Sequence, residues 1–175
     1  MLVKFNMSQL NSSQIQTFLN SHNNYRNNVN PPAKSMPQLV WSDDLATSAS
    51  QWASQCIWNH SRAPNVGENM YLTSSRTPNI STFDTSHAVN SWGGEKPFYD
   101  YNSNSCVNGI KCRHYTQIIW ANSTNIGCAV QDCPKIHLAN GEEFKWSNGS
   151  TGGTIVTCQY SPQGNYIGQK PYQQY

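Results

Sequence analysis

The sequence predicts an α+β domain in which an antiparallel sheet lies between helical layers. Three observations carry that reading. Apolar residues fall at helical spacing through the first half of the chain, and two β-branched stretches close the second half. Six cysteines, all between Cys56 and Cys158, are placed to staple the frame. At 175 residues the chain suits one domain. Residues 1–11 are expected to be a disordered N-terminus and residues 12–175 a single folded unit.

Ser12 or Ser13 is the expected cap of a first helix, whose stripe runs through Ile15, Phe18, Leu19, His22, Tyr25 and Val29. Asn30-Pro31-Pro32 stops it, and Met36 to Trp41 reads as an extended link. Ser42-Asp43-Asp44 starts a second helix, with acids at the positive end of its dipole and Leu45, Ala49, Trp52, Ala53 and Cys56 inside. Val66 to Tyr71 reads as a short strand entered through Gly67, and Thr73 to Asp84 as a polar loop. A third helix is expected from Thr85 to about Glu95, burying Ala88, Val89 and Trp92, with Gly93-Gly94 weakening its end. Lys96 to Cys106 is irregular and aromatic.

A fourth helix is expected from His114 to Ala121. It buries Ile118, Ile119 and Trp120 and turns His114 and Gln117, one turn apart, toward a common space. Asn125–Val130 and Thr154–Tyr160 read as neighbouring strands of a hairpin with a long tip. The tail from Ser161 to Tyr175, broken by Pro162, Gly164, Gly168 and Pro171, reads as ordered loop at best.

Composition excludes several function classes. The net charge is +2, only 11% of residues are charged, and no dense Lys/Arg stripe exists to neutralise phosphates, so nucleic acid is not an expected partner. No apolar run approaches the roughly 20 residues of a membrane span. The even cysteine count points to disulfides and an oxidising compartment, with the connectivity left open. Met1-Leu2-Val3-Lys4-Phe5 is too short for a signal peptide, so the expectation is a secreted protein whose leader is not part of this chain. Asn-x-Ser/Thr triplets occur at Asn6, Asn11, Asn59, Asn79, Asn122 and Asn148 and permit glycosylation.

Four residues stand out chemically: His60, Glu68, Glu95 and His114. Two imidazoles and two carboxylates suit a divalent cation such as zinc, or acid/base work. Their scattered positions form no compact metal motif. The local strings are more specific. His114-Tyr-Thr-Gln-Ile-Ile-Trp120, Gly67-Glu68-Asn69 and the tail from Cys158 to Tyr172 resemble signatures of the CAP superfamily, which joins cysteine-rich secretory, antigen 5 and pathogenesis-related class 1 proteins. Leu39-Val40-Trp41 leading to Leu45-Ala46 and Trp52-Ala53 is similar to its second-helix entry. The resemblance runs from about Ile15 to Tyr172, and the bare domain is similar to the plant pathogenesis-related class 1 branch.

That resemblance implies an α–β–α sandwich about a central antiparallel sheet of three to four strands, with helices on both faces and three disulfides. It implies the pairs Cys56–Cys133, Cys106–Cys112 and Cys128–Cys158. It also implies a central cleft carrying His60, Glu68, Glu95 and His114, able to hold zinc or another divalent cation though requiring none. Asn69, Ser61 and Gln117 are the expected neighbours of these four. Arg113 stands where the family usually has a small residue; it either disfavours the His114 imidazolium and helps bind an anion, or points to solvent.

Three functions emerge as expectations. The first is a secreted, defence-type module binding a sterol or fatty acid, with Phe98, Tyr99 and Tyr101 either covering the ligand or closing the core. The second is a metal-dependent hydrolase, for which the family has no established general activity and no activated nucleophile is evident. The third is a precursor releasing a signalling peptide by cleavage between Ser161 and Pro162.

Overall fold

The segment Gly153–Ser161 is buried along nearly its whole length, and the rest of the chain is laid against it. A computed structural model describes residues 10–175. The disorder expected of the N-terminus falls mostly on residues 1–9, outside those described; Leu10 packs on the core and Asn11 caps the first helix.

In chain order the elements are α1 (Ser12–Asn27), β1 (Val40–Trp41), α2 (Asp43–Ala53), β2 (Ile57–Trp58), β3 (Gly67–Thr73), α3 (Ser86–Gly93), β4 (Tyr99–Asp100), β5 (Ser105–Cys106), α4 (Arg113–Ile118), β6 (Asn125–Cys133), β7 (His137–Leu138) and β8 (Gly153–Ser161). The main sheet has the order β1-β6-β8-β3. Its three long strands are antiparallel, with Cys128 opposite Cys158 and Glu68 opposite Gln159. The two-residue β1 joins β6 in parallel, which the sequence had shown only as an extended link.

Alternation along β8 divides the molecule into layers. Val156, Cys158 and Tyr160, with Ile126 of β6, face the core built with Phe18, Val89, Trp92 and Ile118, that is, α1, α3 and α4. Ile155 faces the other way, into a smaller cluster with Met70, Cys133 and Ile136, against which Trp52 of α2 packs. This is the α–β–α sandwich with three disulfides, Cys56–Cys133, Cys106–Cys112 and Cys128–Cys158. Gly127 shows how closely α2 lies on the sheet: a Cβ there would sit 2.1 Å from the Ala46 amide nitrogen.

Several boundaries differ from the sequence reading, for local reasons. The cap of α1 is Asn11, not Ser12 or Ser13, because Asn11 and Gln14 exchange side-chain and backbone hydrogen bonds in a capping box. The polar loop after β3 contains a single 3-10 turn at Ile80–Thr82 that buries Ile80 and Phe83. The third helix stops at Gly93, where a Cβ would enter the Tyr25 ring. The fourth stops at Ile118, since the following carbonyls turn inward to a buried cation.

That cation is Arg26, on the buried face of α1 and 1% exposed. Its guanidinium donates to the carbonyls of Pro37, Ile118, Trp120, Ala121 and Ser123. Burial lowers its pKa to about 10, so it stays charged at neutral pH, and the C-terminal carbonyls of α4 supply the compensating dipole. Replacing Arg26 with Leu removes this donor from the buried Ile118 and Ser123 carbonyls, and the expected loss is about 3 kcal/mol or more of unfolding free energy. Chemical denaturation of wild type and Arg26→Leu measures it; Arg26→Lys should recover only part, because an ammonium cannot span the fork.

Candidate functional site

His60 reaches the site from a strapped corner. Cys56, bonded to Cys133, precedes β2, and the Trp52 indole N–H donates to the Asn59 carbonyl at 2.8 Å, which fixes the chain just before His60. The His60 Nδ1 lies 2.8 Å from Glu68 Oε1. The Ser61 N–H donates to the same oxygen, while the Ser61 hydroxyl and the Gln159 amide donate to Oε2. Burial alone would raise the Glu68 carboxyl, but the hydrogen bonds from His60, Ser61 and Gln159 outweigh it, and its pKa lies below the ordinary carboxylate value.

The second pair is built differently. Glu95 follows α3, and its Oε1 lies 2.6 Å from His114 Nδ1. Its Oε2 accepts the backbone N–H of His114 and of Tyr115, at 3.0 and 3.1 Å. Cys112, at the N-cap of α4, offers no side-chain bond, so the Glu95 carboxylate caps that helix from a distant segment. The Cys106–Cys112 disulfide sets the approach, and the Trp92 ring stacks near that of His114, 6.3 Å between centroids.

Strand alternation puts Glu68 and the two residues that meet α4 on opposite faces of β3. Glu68 shares its face with Gln159 on the α2 side, whereas Gly67 and Asn69 face α4. Two contacts join the halves. A Cβ on Gly67 would lie 2.1 Å from Gln117 Oε1, so glycine lets the strand reach α4. The Asn69 amide donates to the His114 carbonyl at 2.9 Å. His60, Ser61, Glu68, Gln117 and Gly164 line a cavity of about 220 Å³; His114 and Glu95 stand outside its lining, across the β3–α4 contact. Among the described residues no three His, Cys, Asp or Glu side chains converge into a ready metal cage. The arrangement is two His–Glu pairs, each with the ring Nδ1 against a carboxylate and Nε2 left for another partner.

The cysteine-rich secretory protein family, CAP, matches residues 19–160. The chain belongs to the CAP family. It is 36% identical over 169 residues to human GLIPR1-like protein 1, covering 90% of this chain and 62% of that one. It is 33% identical over 174 residues to the mouse peptidase inhibitor R3HDML, covering 93% of this chain and 64% of that one. The chain thus spans under two thirds of these vertebrate relatives. Among solved structures, BmVAL-1 is 26% identical with a TM-score of 0.74, over 95% of this chain and 85% of that one. NaASP2 with Zn2+ shares the fold at 21% identity, with a TM-score of 0.73 over 96% of this chain and 89% of that one. No helix among the described residues is long and apolar enough to cross a membrane, and three disulfides fit an oxidising, extracellular setting.

Other residues singled out in this CAP chain fall into different roles. Tyr101 is buried, stacks on Tyr172 and donates its hydroxyl to the Tyr172 carbonyl, so it closes the core. Tyr99 is half-buried and donates to Asn104; Phe98 alone of the three is exposed. Arg113 is exposed, and its carbonyl accepts from the Asn165 amide. The Ser61 hydroxyl donates to the Glu68 carboxylate and not to an imidazole, so Ser61 is not part of a Ser–His pair. The sequence reading passed over Gln159 and Trp92 as site neighbours. Pairing the strand of Glu68 against that of Gln159 in register would have found the first.

Behind the site lies a buried hydrogen-bond chain. The His22 Nδ1–H donates to the Phe18 carbonyl, which leaves Nε2 to accept from the Tyr160 hydroxyl; that oxygen in turn accepts from Asn69. Burial lowers the His22 pKa to about 4 from 6.5, with Arg26 adding to the shift against the Phe18 bond. The folded state therefore holds His22 neutral while the unfolded chain protonates. Its contribution is complete above pH 6.5 and is lost as pH falls toward about 4. The expected loss is on the order of 3 kcal/mol. Denaturation curves across this range should show that slope, and His22→Gln should flatten it; an equal slope in the variant would assign the acid sensitivity elsewhere.

Proposed function

We propose that this protein is an extracellular CAP module whose cleft holds a divalent cation between the Nε2 atoms of His60 and His114, with Glu68 and Glu95 orienting the rings. The support is the state of the four acid oxygens. Each already accepts at least one hydrogen bond from His60, Ser61, Gln159, His114 or Tyr115, and each Nδ1 faces one of them. A carboxylate held against Nδ1–H leaves a basic lone pair on Nε2, the usual outer arrangement of a metal-bound histidine. Neutral imidazole nitrogen suits zinc, and two such donors leave positions open for water or for a donor from a partner.

Zinc calorimetry tests this. His60→Ala and His114→Ala should each abolish saturable heat, and Glu95→Gln should weaken binding by roughly 10–100-fold through loss of ring orientation. Equal heats for wild type and both alanine variants would remove the cation from the account.

A second reading has its own observation. Val107 and Ile110, on the loop closed by the Cys106–Cys112 disulfide, are 40% and 43% exposed, and Phe98, just before the β4 strand that pairs with β5, is 37% exposed. Such an apolar surface suits a sterol or fatty acid. With a fluorescent sterol as probe, saturable binding should fall when Phe98, Val107 and Ile110 become Ser together. Unchanged binding would take this loop out of the function.

A further inference from the structure

Five of the six Asn-x-Ser/Thr triplets lie among the described residues, and they differ in geometry. At Asn79 the side-chain oxygen accepts both the backbone N–H and the hydroxyl of Ser81, the hydroxyl at 2.7 Å. At Asn148 it accepts the N–H and the hydroxyl of Ser150, at 3.0 and 2.8 Å. Both asparagines are exposed, and neither Nδ2 donates a hydrogen bond among the described residues. These are Asx turns closed over three consecutive residues, so a short stretch of chain can form them before the sheet exists. A donor pair on the amide oxygen draws electron density from the nitrogen and makes its protons more acidic.

The other triplets lack this arrangement. Asn59 is half-buried between Trp58 and His60, and the Ser61 hydroxyl is bonded to Glu68. Beside Asn122, Ser123 is fully buried and the Thr124 hydroxyl donates to Asn125. At Asn11 the side-chain oxygen caps α1 through the Gln14 N–H and does not engage Ser13.

We propose that Asn79 and Asn148 carry N-linked glycans, both at the end of the sheet away from the His–Glu pairs. Sheet register supplies the placement. Gly67, Tyr160 and Asn125 mark the end near His60 and Gln117; Thr73, Gly153 and Cys133 mark the other. Asn79 follows Thr73 by a short loop tied to that end through Thr154, whose hydroxyl donates to the Ser75 carbonyl. Asn148 precedes Gly153 in a turn held by the Trp146 indole bond to the Gly152 carbonyl. Sugars on these two asparagines cover the far pole and leave the cleft open, whereas one on Asn59 would stand at its mouth.

The reaction needs a polyprenyl-diphosphate oligosaccharide as donor. The Nδ2–C1 bond forms as the C1–oxygen bond to the diphosphate breaks; the amide nitrogen gives one proton to a base, and the polyprenyl diphosphate leaves. The proposal depends on passage through an oxidising secretory route and not on the cation, so the two fail independently.

The test is to secrete the full chain from eukaryotic cells behind a cleavable leader. A glycosyl-asparagine amidase acting in heavy-oxygen water then marks each occupied asparagine as labelled aspartate, read by peptide mass. Label is expected on Asn79 and Asn148 in most molecules and on Asn59 and Asn122 in few. Ser81→Ala should lose it at Asn79 alone. Label concentrated on Asn11, Asn59 or Asn122, or on no asparagine, overturns the assignment. Amide hydrogen exchange around His60, Glu68 and His114 should be the same before and after sugar removal; a change there overturns the placement.

Discussion

One phenolic hydroxyl, that of Tyr160, joins the sheet to the helical layer of α1 and α4. It donates to His22 on α1, belongs to β8 and accepts from Asn69 on β3, whose amide also holds the His114 carbonyl on α4. All of these groups are deeply buried except His114, so each bond is made in low dielectric, where leaving it unmade costs most. The sense of the chain is set from one end. The Phe18 carbonyl can only accept, so His22 must donate from Nδ1 and accept at Nε2. That leaves Tyr160 as the donor and obliges Asn69 to present its nitrogen. The position of His114 is thereby referred to the middle of the first helix, far away in sequence.

The acids of the cleft perform a similar task nearer the surface. Each carboxylate ties an imidazole to a backbone segment: Glu68 holds the turn at Ser61, and Glu95 holds the first turn of α4. The side-chain exposures are 57% for His60 against 7% for Glu68, and 30% for His114 against 16% for Glu95. The rings face outward and their acids stand behind them. The imidazoles are therefore more open to solvent than the carboxylates that hold them. The same geometry weakens the hydrolase reading, since neither carboxylate stands free to serve as a base.

Much of this was legible in the residues, and the failures have a common cause. The cap of α2 at Ser42 and the buried Ala88, Val89 and Trp92 of α3 rest on local pattern, and local pattern is what a sequence displays. The cysteine pairs followed from motif order and not from spacing. The inner face of α1 was misread in part. Gln14, Phe18, His22 and Arg26 lie four residues apart on its buried face, but only Phe18 is apolar. A hydrophobic stripe cannot reveal an arginine most of whose partners are carbonyls 92 to 97 residues later, at the end of α4 and just beyond it. Likewise Glu95 was visible as a candidate acid, but its place as the cap of α4 depends on a contact between segments that no spacing rule connects.

The tail shows how tightly the site and its surroundings are coupled. Beyond Ser161 the chain has little regular structure, yet the Gly164 N–H donates to Gln117 and Asn165 bonds both Thr116 and the Arg113 carbonyl. Farther on, the Tyr172 hydroxyl donates to the Pro31 carbonyl, and Lys34 donates to the Gln173 carbonyl. The wall of the cleft beside Gln117 is therefore made by tail residues. Cleavage between Ser161 and Pro162 with release of the tail would strip Gln117 and α4 of these partners and uncover Trp120, which is 4% exposed in the intact chain. A released peptide and an intact cleft are thus alternatives for any one molecule: a chain that has given up its tail has also lost one side of the place where His114 is held.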